Sequence, residues 1–361
     1  MKNNFVHLHV HSTYSFTDGF GTPDQYVNRA VEIGQPALGV TDHGNISVHY
    51  KWYKHCLKSG IKPILGCEMY IVETNEDIRE REYNHITVLV QNNAGYRNLT
   101  KLVTKAWNEN FYYKPRITYQ DLFDHQEGLI VLSGCLSSPI MEALREGNIP
   151  KAVQDVFLFK NNIKNFYIEL QAIDFPEGKK AYQRLMNLLD KDFKGIPCVV
   201  TGDCHYVREE DSKTQEVLLC VQTKDTMKNP DHWHFDQDDF FLKSREQMEL
   251  SMRRCFPKYD PTDALDNTVK IAEMVDFEFP KATPIKFPIP DNEKMKFLAD
   301  KCVERLKKLK KYEDQTYVDR LNYELDLVDK KGFQDYFLVI YDLVNWAKEN
   351  EKLNLDIGCP S

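Results

Sequence analysis

Long apolar runs are missing from this 361-residue sequence: none approaches the roughly 20 residues needed to span a membrane. The opening, MKNNFVHLHVHS, has no apolar core of signal-peptide length either. Both absences lead to the expectation of a cytoplasmic protein with no membrane partner. Cys-x-x-Cys pairs are absent, and nine scattered cysteines, an odd count, fit reduced thiols better than a disulfide framework. Glycine and proline, at 16 each, are too sparse for a fibrous or disordered chain. No Gly-x-Ser-x-Gly elbow and no Walker loop is found, which removes two common hydrolase and nucleotide-binding sites. An excess of positive charge is missing too: 47 Lys and Arg against 55 Asp and Glu give a net charge of −8. That excludes coating nucleic acid by bulk charge. It leaves open an enzyme that neutralises phosphate locally with metal cations.

What is present, 42% hydrophobic and 28% charged, is ample for one large domain and a smaller one. Short apolar runs lie at 5–8, 37–40, 63–65, 86–90, 129–132, 166–170 and 197–200. Amphipathic stretches at 23–33, 46–57, 94–106, 139–145 and 179–190 fall between most of them. Strand followed by helix, about seven times over, predicts an α/β fold with a parallel sheet or barrel. The segment FPKATPIKFPIPD, with Pro280, Pro284, Pro288 and Pro290, cannot be helical and marks a boundary. The expected division is a domain at 1–275, a proline-rich linker at 276–291 and a smaller, mainly helical region at 292–361. Within that region 293–311 and 317–330 read as charged helices and 336–347 as a more apolar segment. KCVERLKKLKK, at 301–311, reads as a solvated helix face, and the charged stretch 75–82 as a mobile loop.

The chemistry-bearing residues begin with HLHVHS. His7, His9 and His11 alternate, so an extended strand turns all three imidazoles to one face. Alone, that fits a polar strand end as well as a metal site. Five further segments tip the balance. Thr41-Asp42-His43-Gly44, Gly66-Cys67-Glu68, Ser133-Gly134-Cys135 and Thr201-Gly202-Asp203-Cys204-His205 each directly follow a predicted strand, and His85 edges another. Parallel α/β folds gather their active sites at the C-terminal ends of strands. Imidazole and carboxylate with one thiolate favour zinc, manganese or iron over magnesium or calcium. More than four candidate ligands imply more than one ion, with Glu68 able to bridge. Closely spaced ions suit phosphoester hydrolysis, because they acidify a bound water and polarise phosphoryl oxygens. Lys114 and Arg116, beside aromatics in FYYKPR, suit a loop that contacts a DNA strand. His49, His55, His125, His232 and His234 match no motif and read as surface or structural.

These segments, in this order, resemble the polymerase-and-histidinol-phosphatase (PHP) fold. HLHVHSTYSFTDG, ALGVTDHGN, GIKPILGCEMY, NFYYKPR, EGLIVLSGCLS, QEVLLCVQT, FFLKSREQM and GFQDYFLVIYDLVNWAKEN resemble the N-terminal part of the bacterial DNA polymerase III alpha-subunit family over almost the whole chain. The resemblance implies a distorted seven-stranded (βα)7 PHP barrel, a metal-dependent phosphoesterase domain, followed by the start of a polymerase palm. It implies two or three divalent transition metals (Zn, Mn or Fe) held by His9, His11, Asp18, His43, Glu68, His85, Cys135, Asp203 and His205. Asp18, in SFTDG, is named through the resemblance alone. Glu68, Asp203 and His205 become the catalytic residues, with Glu68 and Asp203 as bridging carboxylates and Asp42 orienting a ligand. Every matching position keeps a ligand-capable side chain, so the implied activity is metal-dependent 3′–5′ exonuclease proofreading during DNA replication. The implied partners are DNA, the rest of the polymerase and replisome subunits such as the sliding clamp. After NWAKEN the family continues into a Gly-Arg-Gly-Ser loop and the palm aspartates, whereas this sequence reads EKLNLDIGCPS. These 361 residues are therefore not expected to synthesise DNA alone. A stand-alone small-molecule phosphatase or pyrophosphatase, and a non-catalytic support domain, are the alternatives.

Overall fold

Runs of Val, Ile and Leu bounded by turn residues become short strands in the computed structural model, which describes residues 5–74, 79, 81–235, 237–281 and 283–349. Eight strands result: β1 (Ala37–Val40), β2 (Lys62–Val72), β3 (Asn84–Val90), β4 (Phe111–Tyr112), β5 (Lys114–Thr118), β6 (Leu129–Leu132), β7 (Phe166–Gln171) and β8 (Cys198–Thr201). β1 and β6 are buried at every position, as strands covered on both faces must be. The sheet runs β4-β5-β2-β3-β6-β7-β8, with β1 also on β2.

The sheet curls until residues 7–11 bridge its free edges, β1 and β8. Gly39 N–H donates to the His7 carbonyl at 2.8 Å and Thr41 N–H to that of Val10 at 2.9 Å. On the other side Cys204 N–H donates to the His9 carbonyl at 3.1 Å, and His11 N–H to that of Cys204 at 2.7 Å. The segment 7–11 with β1, β2, β3, β6, β7 and β8 makes a seven-membered ring, and the β4–β5 hairpin lies outside it.

Three strand expectations are corrected. The first apolar run, 5–8, forms no regular strand, because its neighbours meet it only at scattered bonds. β2 extends well past 63–65, since antiparallel β3 supplies partners from Gly66 to Ile71, so Glu68 stands mid-strand rather than beyond a strand end. β3 is antiparallel to both β2 and β6, not parallel. Among the described residues no helix separates β2 from β3, which run in opposite directions side by side. This reversal puts His85, near the start of β3, at the rim where the parallel strands end.

Helices pack outside the ring. Pro23–Glu32 and Pro139–Glu146 begin with proline after Thr22 and Ser138, a pairing that presets the first turn. Asn92 caps Asn93–Asn108 by accepting from Ala94 N–H at 3.0 Å and Gly95 N–H at 3.1 Å. A Cβ at Gly95 would sit 1.7 Å from the Gly128 carbonyl oxygen. Gly95→Ala is therefore expected to cost about 2–3 kcal/mol, read as a lower urea midpoint. An unchanged midpoint would contradict the close approach.

The described chain divides into two compact units, Met1–Phe279 and Pro280–Ser361. Within the second, Asp291–Lys308, Gln315–Lys331 and Gln334–Glu349 are helices. Lys294, buried at 3% exposure, pairs with Asp291 at 2.5 Å and Asp335 at 2.6 Å. No helix among the described residues is long and apolar enough to cross a membrane.

Candidate metal centre

One rim of the ring collects imidazoles and carboxylates from six places in the chain. His9 and His11 alternate along the bridging segment, and their Nε2 atoms face each other at 3.0 Å. Asp203 Oδ1 lies 3.3 Å from each of those nitrogens. Glu68 reaches in from β2 and faces four imidazoles. Its Oε1 is 3.4 Å from His9 and 3.3 Å from His85, and its Oε2 is 3.4 Å from His11 and 2.8 Å from His43. Asp18 Oδ2 lies 3.1 Å from His43 Nε2 and 3.2 Å from His205 Nε2. Cys135 Sγ is 3.7 Å from His85 Nδ1. Asp203 holds its place with φ of 45°, a left-handed conformation unusual for a residue with a side chain.

Three overlapping groups each fit one cation: His9, His11 and Glu68; His43, Glu68 and His85; and His11, Asp18, His43 and His205. Two ligands on a tetrahedral ion with bonds of 2.0–2.1 Å stand about 3.3 Å apart, close to most of the separations above. Asp18 Oδ2, His43 Nδ1, Glu68 Oε1 and Asp203 Oδ1 are buried yet have no partner in hydrogen-bond geometry. Buried polar atoms left so are costly; cations at these three positions would satisfy those of Asp18, His43 and Glu68, and Asp203 Oδ1 lies beside the His9–His11 pair of the first. The donor set fits two or three divalent ions.

Protons take that place when metal does not. Burial opposes charge on His9, but Asp203, Glu169 and Glu68 raise its pKa well above the usual imidazole value. His43, despite burial, is raised to about 10 by Glu68 and Asp18, and His205 is raised mainly by Asp18 and Asp203. His11 goes the other way, lowered to about 3 by burial and by the neighbouring His43 and His205. Burial opposes the charge of Glu68, yet His85, His43 and His9 hold it well below the usual carboxylate range. Burial pushes the Cys135 thiol up, so it too must lose a proton to ligate. Metal uptake at pH 7 is therefore expected to release protons, with affinity rising as pH rises. The test is calorimetry in buffers of different ionisation enthalpy; an apparent enthalpy independent of buffer would contradict it.

The remaining ring nitrogens of His9, His11 and His205 are committed elsewhere, which aims the ligating ones inward. His11 Nδ1–H donates to Ser15 Oγ at 2.9 Å, and that hydroxyl donates to Asp42 Oδ1 at 2.9 Å. Asp42 therefore acts on His11 through Ser15. His205 Nδ1–H donates to the Asp203 carbonyl at 2.7 Å. His9 Nδ1–H donates to Glu169 Oε1 at 2.6 Å, and Glu169, fully buried on β7, also accepts from Thr87 and Thr201. Sequence reasoning passed over Glu169 and Ser15; the signal for the first was a carboxylate inside an otherwise apolar strand. Glu169→Gln is expected to weaken metal binding about 10–100-fold, measured by competition with a chromogenic chelator, and unchanged affinity would exclude this orienting role.

All nine anticipated ligands come together at this rim, whereas His7 does not. It lies buried below the centre, with Nε2 donating to the Lys243 carbonyl at 2.9 Å. Arg116 corrects an expectation: at 1% exposure it belongs to the core and is not placed to touch a DNA strand. Lys114 is half-buried, its ammonium donating to Tyr70 Oη at 3.2 Å, and it does line the cavity over the centre. That cavity, about 700 Å³, also carries Arg81 and Arg145 on its wall. His49 is buried and bonded to the Gly66 carbonyl, and His232 is bonded to Glu216. Of the expected mobile loop, residues 75–78 and 80 lie outside the described residues.

Residues 7–173 match the PHP domain family, and residues 296–354 match the family described as the bacterial DNA polymerase III alpha NTPase domain. The DNA polymerase III subunit alpha of Treponema pallidum is 37% identical over 97% of this chain, and that of Thermus aquaticus 31% identical over 96%. This chain spans only 30% and 34% of those two relatives. A solved structure from Bifidobacterium adolescentis, described as a candidate metal-dependent phosphoesterase, overlays 69% of this chain and 96% of its own at TM-score 0.40 and 11% identity.

Proposed function

Because this chain belongs to the PHP-containing bacterial DNA polymerase III alpha-subunit family, we propose that its metal centre hydrolyses 3′-terminal phosphodiesters of DNA as a 3′–5′ proofreading exonuclease. The observation that carries the reading is the geometry of Glu68. One buried carboxylate faces four imidazoles within 3.4 Å, an arrangement for closely spaced cations rather than for structural support. When bound, such ions supply the positive charge that acidifies water and polarises phosphoryl oxygens. Zinc, manganese and iron suit the donor set best.

The chain's own residues do the rest. Glu68 and Asp203 would supply the anionic ligands to such ions, and Glu169 and Ser15 hold His9 and His11 in the ligating orientation. His205, its Nδ1 tied to the Asp203 carbonyl, presents Nε2 towards Asp18 at the floor of the cavity. Arg81, Lys114 and Arg145 on the cavity wall neutralise and orient the phosphate. In the cell this activity serves DNA replication in the cytoplasm, with the rest of the polymerase and the sliding clamp as partners and nucleotide transfer performed outside these residues.

The test is digestion of a 3′-labelled single strand by the metal-loaded chain, with and without chelator. Chelator-sensitive release of 3′ nucleotides is expected. Hydrolysis of small phosphomonoesters with the strand left intact would replace this reading with a small-molecule phosphatase.

A further inference from the structure

A second cavity, about 710 Å³, adjoins the first and shares Asp18, His43, Tyr70 and Lys114 with it. Its walls carry large aromatics that are left in water. Phe16 is 85% exposed, Tyr113 60%, Trp107 49% and Phe111 45%. An exposed Phe is unremarkable singly, but four exposed aromatics around one cavity call for a ligand.

Local structure holds these rings out. Phe16 stands on the loop between the ligands His11 and Asp18, next to Thr17 at φ 62°. Tyr113 sits at the tip of the β4–β5 hairpin with φ 60°. Thr17 and Tyr113 are thus in the left-handed region that side chains disfavour, and such strain persists where the surroundings require it. Trp107 is anchored by its indole N–H, which donates to the Gly44 carbonyl at 2.8 Å beside the ligand His43. Phe111 stacks on it, with centroids 5.2 Å apart and planes at 17°. Lys51 and Lys114 line the same cavity, and the Arg81 guanidinium lies 4.4 Å over the Tyr113 ring.

We propose that this aromatic groove is the path of the single-stranded DNA whose 3′ end enters the metal centre, with bases stacking on Phe16, Tyr113 and the Trp107–Phe111 pair. The inference rests on the nuclease reading for the identity of the strand, and it adds where the strand runs. Flat rings beside cations are the chemistry that binds single strands without regard to sequence, because every base has a π-face and every linkage a phosphate. Asp18 and His43 line the groove together with these aromatics, so a strand stacked there would reach the metal centre.

The experiment measures binding with chelator present, so that hydrolysis plays no part. Fluorescence anisotropy compares the full chain, Phe16→Ala and Phe16→Tyr, each with a labelled oligothymidylate and an abasic strand of equal length. Phe16 is almost wholly exposed, so its truncation does not threaten folding. The expected result is about a tenfold weaker Kd for oligothymidylate in Phe16→Ala, restored by Phe16→Tyr, with the abasic strand bound equally by all three. Equal affinity of the unsubstituted chain for both strands, or of Phe16→Ala and the unsubstituted chain for oligothymidylate, would overturn the proposal. Base-dependent, Phe16-dependent binding without hydrolysis by the metal-loaded chain would sink the nuclease reading and support the strand path.

Discussion

Asp203→Ala is expected to lower phosphodiester hydrolysis about a thousandfold, and His9→Ala by a similar factor, with the melting temperature tracked alongside. Asp203 Oδ1 is equidistant, at 3.3 Å, from the Nε2 atoms of His9 and His11. Removing it strips an anionic ligand from the position those imidazoles share. His9 carries the second line of support, since its Nδ1 connects the centre to Glu169. Because bound cations would acidify the water and offset phosphate charge together, losing one ligand position would disable both effects. Wild-type rates in both variants would assign the measured nuclease to another site or to a contaminant.

The second large effect concerns Glu68. Its two oxygens face four imidazoles, so it belongs to two of the three cation groups at once. Glu68→Gln keeps the volume but removes the charge, and its amide can place an N–H against a ring nitrogen that should meet a cation. Bound metal is expected to fall by about half or more, with the residual ion at the group that lacks Glu68, formed by His11, Asp18, His43 and His205. Elemental analysis after dialysis measures this. Retention of full stoichiometry by the variant would show that the carboxylate is not shared.

The sequence made the site more legible than the sheet. His9 and His11 announce themselves by alternation, and His43, Cys135, Asp203 and His205 follow short apolar runs that do become strands or their ends. Asp18 carries no such signal: it stands on an irregular loop, and spacing cannot show that the loop folds back over His43 and His205. Glu68 was found for a reason the fold does not honour, because β2 continues past it. Its inward aim comes from strand alternation, with Cys67 turned the other way and its thiol donating to the Asp42 carbonyl at 3.2 Å. The direction of β3 was likewise hidden, since a run of alternating apolar residues has the same pattern in either direction. Arg116 failed as a surface contact for a related reason: adjacent positions of a strand face opposite sides, so Lys114 and Arg116 share a face while only the first lies near the rim. Glu169 was passed over because its signal, one carboxylate in an apolar strand, gains meaning only once its partner, 160 residues away in sequence, is known.

The central claim is a polynuclear metal centre, and metal content of the purified chain tests it most directly. Elemental analysis after reconstitution with zinc, manganese or iron is predicted to give two or three ions per chain, all removed by chelator. A chain that binds none, while retaining its folded melting transition, would contradict the account and leave this cluster of histidines and carboxylates as a proton-bridged structural core.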